Sequence, residues 1–110
     1  MAITNKTITA GALSSSPAPV YTAAFSSTAS AKITSLTAYA SGGIDQLNIH
    51  IVRSGDSLTS DNLFFSRDIA DGETRPIPLV NQVLKNGDTI QAYTVTGGII
   101  NLTGAVREET

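Results

Sequence analysis

An all-β fold, an antiparallel sandwich of about eight short strands wound as a jelly roll or another Greek key, follows from three observations. Short runs alternate apolar and polar residues with period two. β-Branched residues fill those runs, while Gly, Pro, Asn, Asp and Ser gather between them at close intervals. No run longer than a single turn carries helical apolar spacing.

The elements follow in order. "AITNKTITA" (2–10) is a threonine-rich strand or extended arm, and the prolines at 17 and 19 keep the following "GALSSSPAP" (11–19) out of a helix. Residues 1–19 thus form a leading segment, and 20–110 the sandwich domain. "VYTAAF" (20–25) and "AKITSLTAYA" (31–40) are strands around the polar turn "SSTAS" (26–30), and "SGG" (41–43) ends the second. "DQLNIHIVR" (45–53) is the clearest strand: Leu47, Ile49 and Ile51 share one face, and Gln46, Asn48 and His50 the other.

"SGDSLTSDN" (54–62) is a loop of Asx and Ser turn formers. "LFFSRDI" (63–69) is a strand and "ADGE" (70–73) a turn. Prolines restrict "TRPIPL" (74–79) to an edge strand or an extended connection. "NQVLKN" (81–86) has room for one helical turn, and "NGD" (86–88) signals a tight turn. "TIQAYTVT" (89–96) and "IINLTGAVRE" (99–108) are the last strands, expected to form a hairpin through Gly97 and Gly98.

Composition narrows the function. A chain of 110 residues has room for one domain and one core. With no cysteine, it makes no disulfide, thiolate metal site or cysteine nucleophile. The net charge of −2 supplies no basic field, and the seven Lys and Arg are scattered along the chain, which argues against nucleic-acid binding. The first residues lack the pattern of a signal peptide, and no apolar run approaches a membrane span. A soluble protein made in the cytoplasm, with no membrane partner, is expected.

Reactive residues are sparse. His50 is the single histidine, so a multi-histidine metal site is impossible and any Ser-His-Asp arrangement must use it. Its mid-strand position suits packing better. Asp56 with Asp61, and Asp68 with Asp71 and Glu73, could serve as carboxylate pairs or oxygen ligands for calcium, but both groups fall where turns need Asp. Tyr21, Tyr39 and Tyr93 lie within strands, where packing is expected before sugar stacking. "NKT" (5–7) and "NLT" (101–103) match the glycosylation sequon by chance where no secretory signal precedes them. No cofactor, no metal and no enzymatic activity are expected.

The order of turns and strand ends adds a family resemblance. "VYTAAFSSTASAKITSLTAYASGGIDQLNIHIVRSGDS", followed by "LFFSRDIADGETRPIPLVNQVLKNGDTIQAYTVTGGIINLTGAVREE", resembles small β-sandwich virion proteins of tailed bacteriophages. The likeness runs from Val20 to Glu109 and rests on turns and strand ends. It implies a structural protein located in the virion, foremost a head decoration or cement subunit bound across neighbouring major capsid subunits. Neck, tail or fibre-associated proteins are the alternative, and a carbohydrate-binding sandwich a further one. The implied partners are the major capsid protein or another virion protein, with the chain itself a dimer or trimer. Candidate contact residues are Ile3, Ile8 and Leu13 on an arm able to add a strand to a partner's sheet, Asp56 and Asp61 in the polar loop, and Arg75, Pro76 and Pro78 on the edge segment. The two prolines also blunt that edge against strand pairing.

Overall fold

The structure, a computed structural model, describes residues 3–25 and 29–110. Met1 and Ala2 of the leading segment, and 26–28 of the polar turn expected after Phe25, lie outside the described residues. The described residues form nine strands: β1 (Ile3–Ala12), β2 (Ala18–Thr22), β3 (Ser30–Ala40), β4 (Asp45–Val52), β5 (Leu63–Ile69), β6 (Thr74–Pro76), β7 (Val83–Lys85), β8 (Thr89–Thr94) and β9 (Ile100–Glu109). One 3-10 turn, Ser60–Asn62, sits in the β4–β5 loop.

The strands form two antiparallel sheets. The first has the order β1-β9-β3-β6, with β7 also on β3; the second has the order β2-β8-β4-β5. Most connections cross from one sheet to the other, as in a jelly roll. β6 and β7 are two halves of one edge strand along β3. Between them, Ile77 N–H donates to the Leu36 carbonyl and Asn81 N–H to the Ile33 carbonyl, so the chain still follows β3. Asn81, at φ 75°, makes the left-handed kink that this detour requires.

The expected hairpin at Gly97 and Gly98 is corrected. β8 belongs to the second sheet and β9 to the first, so the glycines form an arch between sheets. The "NGD" turn is also an arch, from β7 to β8. It is tight, with Asp88 N–H donating to the Lys85 carbonyl at 3.0 Å, and Gly87 supplies the positive φ of 91°. Asn86 keeps a negative φ, so this is a type II rather than a primed turn. "NQVLKN" is corrected as well: Leu84 is fully buried and packs as strand, because its neighbours pair with Ser30 and Lys32 of β3.

The core lies between the sheets. From β4 come Leu47, Ile49 and Ile51, from β3 Ile33, Leu36 and Ala38, and from β9 Ile100, Leu102 and Val106. Each large aliphatic side chain so buried stabilises the fold by about 2 kcal/mol relative to exposure. β9 runs between β1 and β3, where Gly104 lies opposite both Ile8 and Leu36. A Cβ on Gly104 would be driven into the Ser35 carbonyl oxygen, so the close approach of β3 to β9 requires glycine there.

Candidate functional site

Both ends of the sandwich are organised by a buried carboxylate. At one end, Asp45 opens β4 and is 4% exposed. Its oxygens accept from the backbone N–H groups of Thr96, Gly97 and Gln46 at 2.9–3.1 Å. Burial raises its pKa, but these donors outweigh that and hold the carboxyl below its usual range. The Val95 N–H donates to the Gln46 carbonyl at 3.2 Å, which completes the anchoring of the β8–β9 arch. This arch and the residue before β4 display two apolar tips, Val95 at 63% and Ile44 at 61% exposure. With Asp45, Gln46 and Asp68 they line a recess of about 330 Å³.

At the other end, Asp88 is 3% exposed. Its carboxylate accepts from the Lys85 and Ser54 N–H groups at 2.8 and 2.9 Å and from Arg53 Nη1 at 2.9 Å. Burial again raises the pKa, and the two N–H donors with the guanidinium bring it below the ordinary value. Arg53 Nη1 also donates to the Val83 carbonyl at 2.8 Å, tying the β4–β5 loop to β7.

That loop covers a groove of about 410 Å³, lined by Arg53, Asp56, Asp61, Asn62 and Phe64 among others. Phe64 is the extra residue of a bulge, between the pairs Ile49–Phe65 and His50–Leu63, and is 48% exposed. Asn62 fixes the loop: its amide donates to the Ser57 carbonyl at 2.9 Å, and its oxygen accepts from Thr59 N–H at 3.1 Å. The same oxygen lies 2.8 Å from His50 Nδ1. Arg53 is neutralised by Asp88, whereas Asp56 and Asp61 make no ion pair among the described residues, so the groove is acidic.

A second groove, of about 460 Å³, opens on the outer face of the first sheet beside Lys32, Val83, Arg107 and Glu109. Register explains the grouping. Asn5, Arg107, Lys32 and Val83 form one outward row across β1, β9, β3 and β7, and Ile3, Glu109, Ser30 and Lys85 the next. Arg107 approaches Glu109 only at 3.7 Å. Lys32 has no ion-pair partner among the described residues, so Lys32 and Arg107 outweigh Glu109 and the groove is basic.

The remaining polar residues serve the fold. His50, expected on the face away from Leu47, is nonetheless 2% exposed, because Tyr93 stacks on it at 5.6 Å and the Asn62 loop closes over it. Tyr21 donates to Glu108 at 2.5 Å; burial first, and then the Glu108 carboxylate, pushes the phenol pKa up. Tyr39 is 42% exposed on the outer face of the first sheet. No group of three metal-ligating side chains occurs among the described residues.

Of the candidate contact residues, Ile3 is 54% exposed, and Asp56 and Asp61 share the acidic groove. Pro76 and Pro78 are exposed on the β6 edge, and Arg75 is half-buried and held by Glu73 at 2.9 Å. Two positions are corrected: Ile8 and Leu13, 1% and 6% exposed, pack into the protein's own core because β1 pairs along its length with β9. Sequence reasoning missed Phe64, Val95, Ile44 and Lys32. A lone exposed hydrophobe within an apolar run gives no signal, since exposure at Phe64 depends on a bulge.

The edge strands β1, β2, β5 and β6 each carry a feature that opposes pairing with another chain. Lys6 takes an inward position on β1 opposite Val106, and Arg67 does so on β5 opposite Leu47. β2 contains Pro19 and a register slip after it, and β6 ends at Pro76.

No family model matches the chain, and no curated protein matches it. Among solved structures it is similar to a protein from Bacillus endospore appendages, described as a novel family of disulfide-linked pili. Identity is 14%, the match covers 98% of this chain and 88% of that one, and the TM-score is 0.61. The likeness shows a shared fold. This chain, without cysteine, forms no disulfide link.

Proposed function

We propose that the chain is a structural protein of a tailed-bacteriophage virion, a head decoration or cement subunit that binds across neighbouring major capsid subunits. The sequence resemblance supports the family. The observation that carries a binding role is the pair of apolar tips, Val95 on the arch that Asp45 anchors and Ile44 beside it at the start of β4. A preorganised apolar knob loses little entropy on docking, so its burial goes into affinity. Small contacts of this kind become effectively permanent when repeated over a lattice.

Purified protein added to heads that lack it tests the proposal. Wild-type chain should sediment with heads in a fixed ratio to the capsid protein. Val95→Asp combined with Ile44→Asp should weaken binding by about tenfold or more with an unchanged melting temperature. Wild-type chain that ignores heads, or a double variant that binds as well as wild type, would overturn it. A second reading, a subunit of a neck, tail or other appendage, is supported by the structural likeness to the pilus protein; binding to isolated tails but not heads would favour it.

A further inference from the structure

We propose that the acidic groove beside Phe64 docks on the basic groove beside Val83 of a second copy, so that the protein self-associates through a heterologous contact. This goes beyond capsid binding and uses surfaces apart from Ile44 and Val95.

The surfaces around the two grooves are complementary in charge, and each carries apolar area. Asp56 and Asp61 bring two exposed carboxylates without an ion-pair partner among the described residues. Lys32 and Arg107 bring two exposed cations, offset in part by Glu109. Each groove holds one large exposed hydrophobe, Phe64 at 48% and Val83 at 42%, beside its charges. Rim charges set orientation and encounter rate, and the apolar side chains supply the area that leaves water.

A single chain cannot satisfy both grooves with each other. One lies at the β4–β5 end of the second sheet, the other on the outer face of the first, and no ion pair joins Asp56 or Asp61 to Lys32 or Arg107. The alternative route to self-association, adding a strand to a free edge, meets the prolines, slips and inward charges on β1, β2, β5 and β6. A groove-to-groove contact avoids those edges. Because the two patches differ, the contact is head-to-tail, and it closes into a ring or continues as a filament according to the rotation it imposes.

Sedimentation velocity on the full chain tests this. Wild type should associate at low salt, and the apparent dissociation constant should rise by about tenfold between about 50 mM and 300 mM salt. Asp56→Lys with Asp61→Lys, and separately Lys32→Glu with Arg107→Glu, should each be monomeric. An equimolar mixture of the two variants should associate again, since each native groove then finds its native complement and each reversed groove a reversed one. A wild type that stays monomeric at about 1 mM protein and low salt overturns the proposal. So does a double variant that associates like wild type, or a mixture that remains monomeric. If a reversal impairs folding, Asp56→Asn with Asp61→Asn and Lys32→Gln with Arg107→Gln replace it; each must weaken association alone, and mixing must restore one native contact and so a dimer, because each variant keeps the groove that the other has lost. Head binding in the preceding test is read independently, so one proposal can fail while the other stands.

Discussion

The Asp45 end and the Asp88 end of the sandwich use one device for two purposes. Each buries a carboxylate that accepts backbone N–H groups from a connection distant in sequence, the β8–β9 arch at Asp45 and the β4–β5 loop at Asp88. Asp45 does this with backbone donors and no ion pair among the described residues, and uncharged apolar tips stand beside it. Asp88 adds the Arg53 guanidinium, and its surroundings open into charged grooves. The difference teaches that a buried carboxylate does not need a counter-ion when enough N–H dipoles converge on it. The cation at the Asp88 end serves another purpose, since it ties the β4–β5 loop to β7 through Val83.

The largest change expected removes the frame that both ends share. Gly104→Val places side-chain atoms where the Ser35 carbonyl and the Leu36 backbone already sit, and should cost about 3 kcal/mol or more. Thermal melting should then fall by roughly 12 °C or leave no folded protein; an unchanged melt would mean that β3 and β9 are not so close. Gly87→Val should damage the Asp88 end alone. A Cβ there comes within 2.5 Å of the Ser54 hydroxyl at a φ of 91°, and a cost of about 2 kcal/mol is expected. Hydrogen exchange should show the Ser54 and Lys85 amides losing protection while those of Thr96 and Gly97 keep theirs; equal loss at both ends would break the comparison.

The smallest effect sharpens it. Both carboxylates have folded pKa values below their unfolded ones. Their stabilisation is therefore complete above the unfolded value of about 3.9 and is lost as pH falls through the folded values. Stability should decline below about pH 4, and Asp45→Asn or Asp88→Asn should each flatten that decline. Arg53→Met should cost only about 0.5–1 kcal/mol, because the guanidinium side chain is 43% exposed. That loss should shrink in high salt, while the effect of Asp45→Asn should not. A salt-sensitive Asp45 end would show that an unseen cation takes part.

Strand placement was largely legible, because period-two alternation and turn residues are local signals. β4 and β5 begin where "DQLNIHIVR" and "LFFSRDI" begin. The partition into sheets was not legible. An arch between sheets and a hairpin within one need the same glycines, so Gly97 and Gly98 suggested the wrong connection. The two aspartates were hidden for a related reason. Asp88 looks like part of a tight turn, yet its carboxylate acts on Ser54 and Arg53, far away in sequence. His50 followed the alternation rule for direction but not for burial, since Tyr93 and Asn62 cover the outer face there. The acidic half of the candidate contact surface could be found from Asp56 and Asp61. Its basic counterpart could not, because only register brings Lys32 and Arg107 together.

The position of β9 has a consequence for how the molecule forms. The last of the nine strands in sequence lies between β1 and β3, so the first sheet has no continuous ladder until β9 arrives. During synthesis, β1 must wait for some ninety residues to emerge before its partner exists, and its N–H and C=O groups stay solvated meanwhile. Folding should therefore be a late, slow event that needs the whole described chain, on the timescale typical of sandwiches dominated by distant pairings. The inward Lys6 on β1, Pro17 just before β2 and Pro19 within it protect the nascent chain as well as the finished one.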